Sequence, residues 1–266
     1  MKFEGRELYN AIGTGYDLTR RADPFICDRL MHFLSPEKGA FYLDIGCGTG
    51  NYTIDLNAKG LKFYGVDPSS KMLEEAMFKS QKIKWLEGTA ESISVEGKIF
   101  AGAIAVLTLH HWLDFPASFS EINRVLKPRG RFIIFTALPE QMENYWLRHY
   151  FPEMMRHAVK QMPSLKLINQ AMYHTGFRLI QTEKYFVQEN LRDLFLYSGK
   201  NHPAIYLDED VRSGISSFAY LSTPEELQMG LKHLASDLAN GTFNAIRQRY
   251  NDALGDYSFL VLEKMK

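Results

Sequence analysis

Three glycines at alternate positions, in LDIGCGTGNYT at 43–53, constrain this chain more than any other stretch. Glycine at every second position builds no core, so the segment is a turn in which bare main chain makes room for something. An apolar run, FYLDI (41–45), precedes the turn, and a helical stretch over 51–59 follows it. Strand, glycine turn and helix in that order open a βαβ unit. The alternation continues to 137. KFYGV (62–66), IKWLE (83–87), FAGAIAVLTL (100–109) and RFIIFTA (131–137) read as strands two to five, with helices over 69–78 and 118–126 among them. Gly60 closes the first helix, and KPRG (127–130) stops the one before strand five. Strand four is almost continuously apolar, as a strand covered on both faces should be.

Past Pro139 the rhythm changes. QMENYWLRHYFPEMMRHAVKQM is helical in pattern and rich in methionine and aromatic residues, and reads as an insertion over the sheet. A helix over 164–174, ended by Gly176, leads into strand six, FRLIQTEKYFV (177–187). A second insertion holds STPEEL (222–227), with Thr223 as N-cap, Pro224 at the first helical position and Glu226 completing a capping box. That helix should run to Asn240 and stop at Gly241, with another helix over 242–254. DYSFLVLEK (256–264) supplies strand seven; paired beside strand six, it makes 188–255 an excursion between neighbouring strands. The expected fold class is α/β, a doubly wound, mostly parallel sheet of seven strands with helical insertions after strands five and six.

Lysine plus arginine equal aspartate plus glutamate at 31 each, so no global field favours a nucleic acid or an anionic membrane. No apolar run approaches the ~20 residues that span a bilayer, and the start, MKFEGRELYN, lacks a signal-peptide layout. The expectation is a cytoplasmic protein with neither nucleic-acid nor membrane partner, monomeric or homodimeric. Cys27 and Cys47 make no disulfide framework or CxxC pair. No HExxH occurs, and His32, His149 and His157 lack acid or thiol partners at ligand spacing, so no metal is assigned.

In open α/β sheets ligands bind beyond the carboxyl ends of strands, where strand order reverses, which makes the glycine turn a binding site by position. A nucleoside triphosphate would call for GxxxxGK[ST], which is absent. A dinucleotide would call for GxGxxG, but the residue after Gly50 is Asn51. Asp44, just before the turn, would repel pyrophosphate and attract an ammonium or sulfonium; at ~4 Å and an effective dielectric of about 20 such a pair is worth ~4 kcal/mol before desolvation. Asp67 ends strand two, where an acid accepts hydrogen bonds from ribose hydroxyls. The pattern asks for a phosphate-free, positively charged nucleoside.

LDIGCGTG, the strand-ending Asp67 in VDPSSKML, EGTAES, LHHW and EINRVLKPRGRFII together resemble the class I S-adenosylmethionine (SAM) dependent methyltransferases, especially the small-molecule group that includes the ubiquinone/menaquinone and malonyl-carrier enzymes. The likeness covers 9–138. It implies a Rossmann-like SAM-binding core at 41–138, an N-terminal helical segment at 1–40 over the cofactor, and a C-terminal part at 139–266 with lid and substrate insertions. It also implies Asp44, Gly46, Gly48 and Gly50 around the methionine portion, Asp67 on the ribose, Pro68 and Met72 against adenine, Thr89 and Ala90 at its edge, and Leu107 near the methyl donor. Two departures stand out: Thr89 occupies the place of the usual acid, and Phe100-Ala101 replaces the usual FD.

Tyr16, in the segment the resemblance lays over the cofactor, is singled out as an aromatic face for the cation and as a candidate base. His110 and His111 follow strand four at the ligand edge and are the other candidate bases. Adjacent side chains usually point apart, so a loop-holding role competes for both. The expected activity is in-line methyl transfer from SAM to a small-molecule acceptor. Two alternatives remain: an NAD(P)-dependent oxidoreductase on the same fold, and a SAM-binding regulatory protein without turnover. An amino-methylating nucleic-acid enzyme would carry an Asn- or Asp-Pro-Pro-Tyr string after strand four, which this chain lacks.

Overall fold

A computed structural model describes residues 16–250 and 253–266, the side chain of Tyr16 excepted. The sheet has seven strands in the order β3-β2-β1-β4-β5-β7-β6: β1 (Phe41–Ile45), β2 (Lys62–Asp67), β3 (Lys84–Glu87), β4 (Phe100–Val106), β5 (Leu126–Thr136), β6 (Phe177–Tyr185) and β7 (Tyr257–Lys264). The first five pair in parallel, and β7 runs antiparallel to both β5 and β6, so β6 points the same way as the rest. Strand order reverses between β1 and β4. Their carboxyl ends therefore open on the crevice where open sheets take ligands.

Alternate residues of the central strands enter opposite cores, as the period of two dictates. Ile133, Phe135, Phe259 and Val261 pack on one side with the helix Pro24–Leu34 and the helices that follow β5 and β6. Phe132, Ile134, Leu260 and Leu262 pack on the other, under the helices Phe115–Val125 and Leu165–His174. Both faces are covered, which accounts for the almost continuously apolar β4 and for the buried run over 132–136 in β5. Among the described residues no helix is long and apolar enough to cross a membrane.

Several expectations need correction. The fourth strand stops at Val106, because Leu107 takes φ +53° and the chain turns into a 3-10 helix at Leu109–His111. The fifth begins at Leu126, which pairs with Phe100 before an irregularity re-registers Arg131 on Gly102. Thr223 does cap its helix, accepting from the Glu226 N–H at 3.2 Å, but no reciprocal box forms. The Glu226 carboxylate instead accepts the N–H groups of Glu153 and Met154, satisfying orphan donors of the helix Pro152–Gln161 in the other insertion. The helix expected over 242–254 is only Phe243–Arg247, since Phe243 and Ile246 bury its apolar face and the polar residues from Arg247 on extend no such face. Strand seven lies inside the sheet, between β5 and β6, and the edge strands are β3 and β6.

Gly50, the residue before the helix Asn51–Ala58, has φ +78°, and a Cβ there would sit 2.4 Å from Cη2 of Trp85. Gly50→Ala should lower stability by about 2–4 kcal/mol through left-handed strain plus overpacking. The measurement is a urea midpoint that falls at unchanged slope; an unmoved midpoint would mean the indole does not fill that space.

Candidate functional site

The glycine turn is tied down from below. Gly46 and Cys47 donate to the Val66 carbonyl at 2.8 and 3.1 Å, which docks the loop on the end of β2. Its three glycines do different work. A Cβ on Gly46 would strike the Thr108 hydroxyl at 2.1 Å, so this glycine lets the β1 and β4 exits close together. Gly48, φ +54°, faces open space with nothing within 4 Å of its absent Cβ, and alone of the three offers bare backbone to a ligand without also accommodating a neighbour. Gly50, placed around the ligand by the resemblance, answers in this structure to Trp85, while its neighbours Thr49 and Asn51 line the smaller compartment.

Two compartments meet at this loop, sharing Arg20, Gly46, Gly48 and Val106. The larger, with about 1090 Å³ of empty volume including space open to solvent, holds Asp67, Pro68, Met72 and Leu107 in its wall. Asp67 accepts from the Gly48 N–H with one carboxylate oxygen (2.8 Å) and from the Ser69 N–H with the other (2.9 Å). Lone pairs remain on both oxygens for a ligand's hydroxyls. Burial raises its pKa, against the pull of those two N–H groups. The helix cap is Ser69, whose hydroxyl accepts from Met72 N, so Asp67 is not consumed in capping.

The smaller, polar compartment contains Asp44. Its carboxyl is 2 % exposed, accepts the Thr53 hydroxyl at 2.6 Å, and pairs with no cation among the described residues. Burial, opposed by the Thr53 bond and reinforced by the charge of Asp67, pushes its pKa to about 7. A buried carboxyl with no counter-charge favours a cationic ligand and rejects a phosphate. Cys47 nearby is held protonated, mainly by burial.

Residues 16–23 cross the mouth of this compartment. The Asp17 carboxylate receives Thr49 Oγ1 (2.6 Å), Asn51 Nδ2 (2.9 Å) and Lys79 Nζ (2.8 Å). Arg20 pairs with the buried Asp193 at 2.5 Å, and Tyr52 donates its hydroxyl to the same carboxylate at 3.0 Å. Leu194 N–H donates to Thr19 O, fastening the segment to the second insertion. The Tyr16 side chain lies outside the described residues; Arg20 is the residue of this stretch that reaches both compartments, and no local pattern singled it out.

His110 and His111 both line the larger compartment, with ring centroids 3.8 Å apart. The 3-10 turn brings the adjacent rings together, contrary to the expectation that they point apart. Burial lowers both pKa values, that of His111 to about 4 and that of His110 well below the ordinary value with His111 adding to the effect. Thr89 and Ala90 are not in the cleft wall: Thr89 is exposed and bridges to Ser92, while Ala90 is buried in the core. The acid of that motif, Glu91, is turned away, accepting Leu113 N and Ser118 Oγ. Among the described residues no group of three or more His, Cys, Asp or Glu is placed to hold a metal ion.

The chain belongs to the class I SAM-dependent methyltransferases. A family model described as a methyltransferase domain matches residues 43–134. A crystal structure of a methyltransferase from an antibiotic biosynthesis pathway of Anabaena variabilis, called putative in its description, is 31% identical, with 93% of this chain and 99% of that one covered at a TM-score of 0.82. An uncharacterized methyltransferase of Mycobacterium tuberculosis is 31% identical over 126 residues, 47% of this chain and 51% of that protein, so the match spans about half of that relative's length. Demethylmenaquinone methyltransferase of Lactococcus lactis is 26% identical over 216 residues, covering 68% and 84%. The cofactor is SAM, and Asp44 without a cation, the open backbone at Gly48 and the free lone pairs of Asp67 fit a sulfonium nucleoside.

A ligand cation beside Asp44 favours its ionised form, so SAM affinity should fall as pH drops below about 7, by up to tenfold per unit. Asp44→Asn should bind more weakly and flatten that profile in calorimetric titrations between pH 5.5 and 8.5. Because the folded pKa is raised, the stability associated with the neutral carboxyl is present below the unfolded value and lost as pH rises through about 7. Free of ligand, Asp44→Asn should therefore melt above the parent at pH 8 and with it at pH 4.

Proposed function

We propose that this SAM-dependent methyltransferase acts on a small molecule held in the larger compartment, under a roof supplied by both C-terminal insertions. The observation that carries the reading is the composition of that wall. Met142 and Met162 come from the first insertion, Phe195 and Ile215 from the second, and all four meet the Asp67 side of the cleft. A cleft of this size admits a small acceptor, and the balanced charge of the chain offers nothing to a nucleic acid. Two relatives, one described as from an antibiotic biosynthesis pathway and one named a demethylmenaquinone methyltransferase, agree with a small acceptor.

In this reading Asp67 holds the ribose hydroxyls, Pro68 and Met72 flank the base, and Asp44 faces the ammonium of the methionine portion. Gly46 and Gly48 carry the backbone past the ligand, and Leu107 bounds the reacting end. Bound SAM supplies a methyl carbon on a cationic sulfur, which attack from the opposite side releases. The residues of the chain then have three tasks: to align the acceptor, to exclude water, and to leave a neutral imidazole within reach of a proton. His110 and His111 serve that last task. Thr89 and Ala90 act from behind the cleft, through the loop whose Gly88 N–H donates to Asp67 O at 3.1 Å.

Incubation with methyl-labelled SAM and a cell extract should place the label in the solvent-extractable small-molecule fraction. Label that precipitates with protein or nucleic acid would overturn the reading. Asp67→Ala should weaken SAM binding by ~1–3 kcal/mol, about 5- to 150-fold; an unchanged affinity in calorimetry would remove Asp67 from the ribose.

A further inference from the structure

We infer that the acceptor is an uncharged, largely apolar aromatic molecule presenting a hydroxyl, a phenol in class, with the His110–His111 pair receiving that hydroxyl. This rests on the methyltransferase reading of the same cleft. Among the described residues of the larger compartment's wall, the acid is Asp67, at the nucleoside end, and the cation other than the two histidines is Arg20. Arg20 is bonded to Asp193, whose side chain is 2 % exposed. An acceptor bearing a carboxylate, a phosphate or an ammonium would thus be desolvated with no answering charge, which is strongly unfavourable.

The rest of the acceptor side is apolar and adaptable. Met142, Met162, Phe195, Leu196 and Ile215 supply it, and methionine sulfur makes favourable contacts with aromatic rings. Gln161, Ser216 and Ser217 add uncharged polar groups. The imidazoles decide the functional group. Both imidazoles line the compartment, with ring centroids 3.8 Å apart, and bring uncharged hydrogen-bonding groups into a largely apolar wall. A hydroxyl both donates and accepts, so it suits a neutral imidazole of either tautomer. Burial keeps both rings neutral and makes them weak bases, which calls for a hydroxyl that parts readily with its proton. A phenol, with a pKa of ~10 as in tyrosine, meets that demand far better than an aliphatic alcohol.

The transfer balances. An oxygen lone pair forms the new O–C bond, the electrons of the S–C bond remain on sulfur as a neutral thioether, and the phenolic proton passes to an imidazole and then to water.

The test uses the full-length protein with S-adenosylhomocysteine at saturation, so that binding is read without turnover. The probes are para-phenylphenol, biphenyl, biphenyl carboxylate and phenylphenyl phosphate. The phenol should bind at least about tenfold more tightly than either anion and more tightly than biphenyl. His110→Phe and His111→Phe should erase its advantage over biphenyl, and Met162→Lys, adding a cation to the wall, should shift preference toward the carboxylate. An anion that binds the parent as tightly as the phenol, no binding by any probe, or a hydroxyl preference that survives in both histidine variants would overturn the inference. Titration with S-adenosylhomocysteine comes first on every variant: failure of the parent to bind it would count against the methyltransferase reading itself, whereas its binding with the wrong probe order counts against the phenol alone.

Discussion

A carboxyl group buried without a cation is unstable in its charged form, and two of them stand side by side at the ends of β1 and β2. Asp44 leans on the Thr53 hydroxyl, and Asp67 on two backbone N–H groups. Neither arrangement neutralises a charge; each only steadies it. The fold holds the pair in place through the parallel register that sets Asp44 opposite Gly65 and through the large cores on either side. Strain of this kind persists at functional sites because the surrounding packing over-determines it, and a cationic ligand relieves it. The same electrostatics that favour a cationic nucleoside disfavour a pyrophosphate beside Asp44.

The same cleft is assembled from parts far apart in the chain. Arg20 meets Asp193 across 173 positions, and Glu226 of one insertion caps the helix of the other. Both are long-range polar contacts, and in the first the Asp193 carboxylate is buried, so that loss of Arg20 would strand it. They couple the segment over the glycine loop, the first insertion and the second into one roof. A change in any of the three is felt at the site without touching a ligand.

The sheet and the cofactor end of the site were legible because their signals are local. Periods of two and 3.6, a glycine turn and an acid at a strand end each lie within a dozen residues, and β1, β2 and β7 fell within about a residue of expectation. What was not legible depends on partners distant in sequence. Gly50 answers to Trp85 and Gly46 to Thr108, which no spacing reveals. The carboxylate of Glu226 found better donors on another helix than at its own terminus, and Leu107 adopted a left-handed conformation that cut short an otherwise strand-like run. The acceptor side of the cleft gave no motif because apolar walls are recognised by shape, and side chains such as Met162 and Ile215 carry no spacing signal of their own.

The position of β7 bears on how the protein is made. It is the last of the seven strands to be synthesised, yet it fills the slot between β5 and β6, and its first residue, Tyr257, lines the cleft. Until it emerges, β5 presents a bare edge and the two insertions have no common floor. Between the completion of β5 at Thr136 and the emergence of Tyr257–Lys264 the nascent polypeptide therefore carries an incomplete crevice and an unpaired edge, which is open to mispairing with a neighbour.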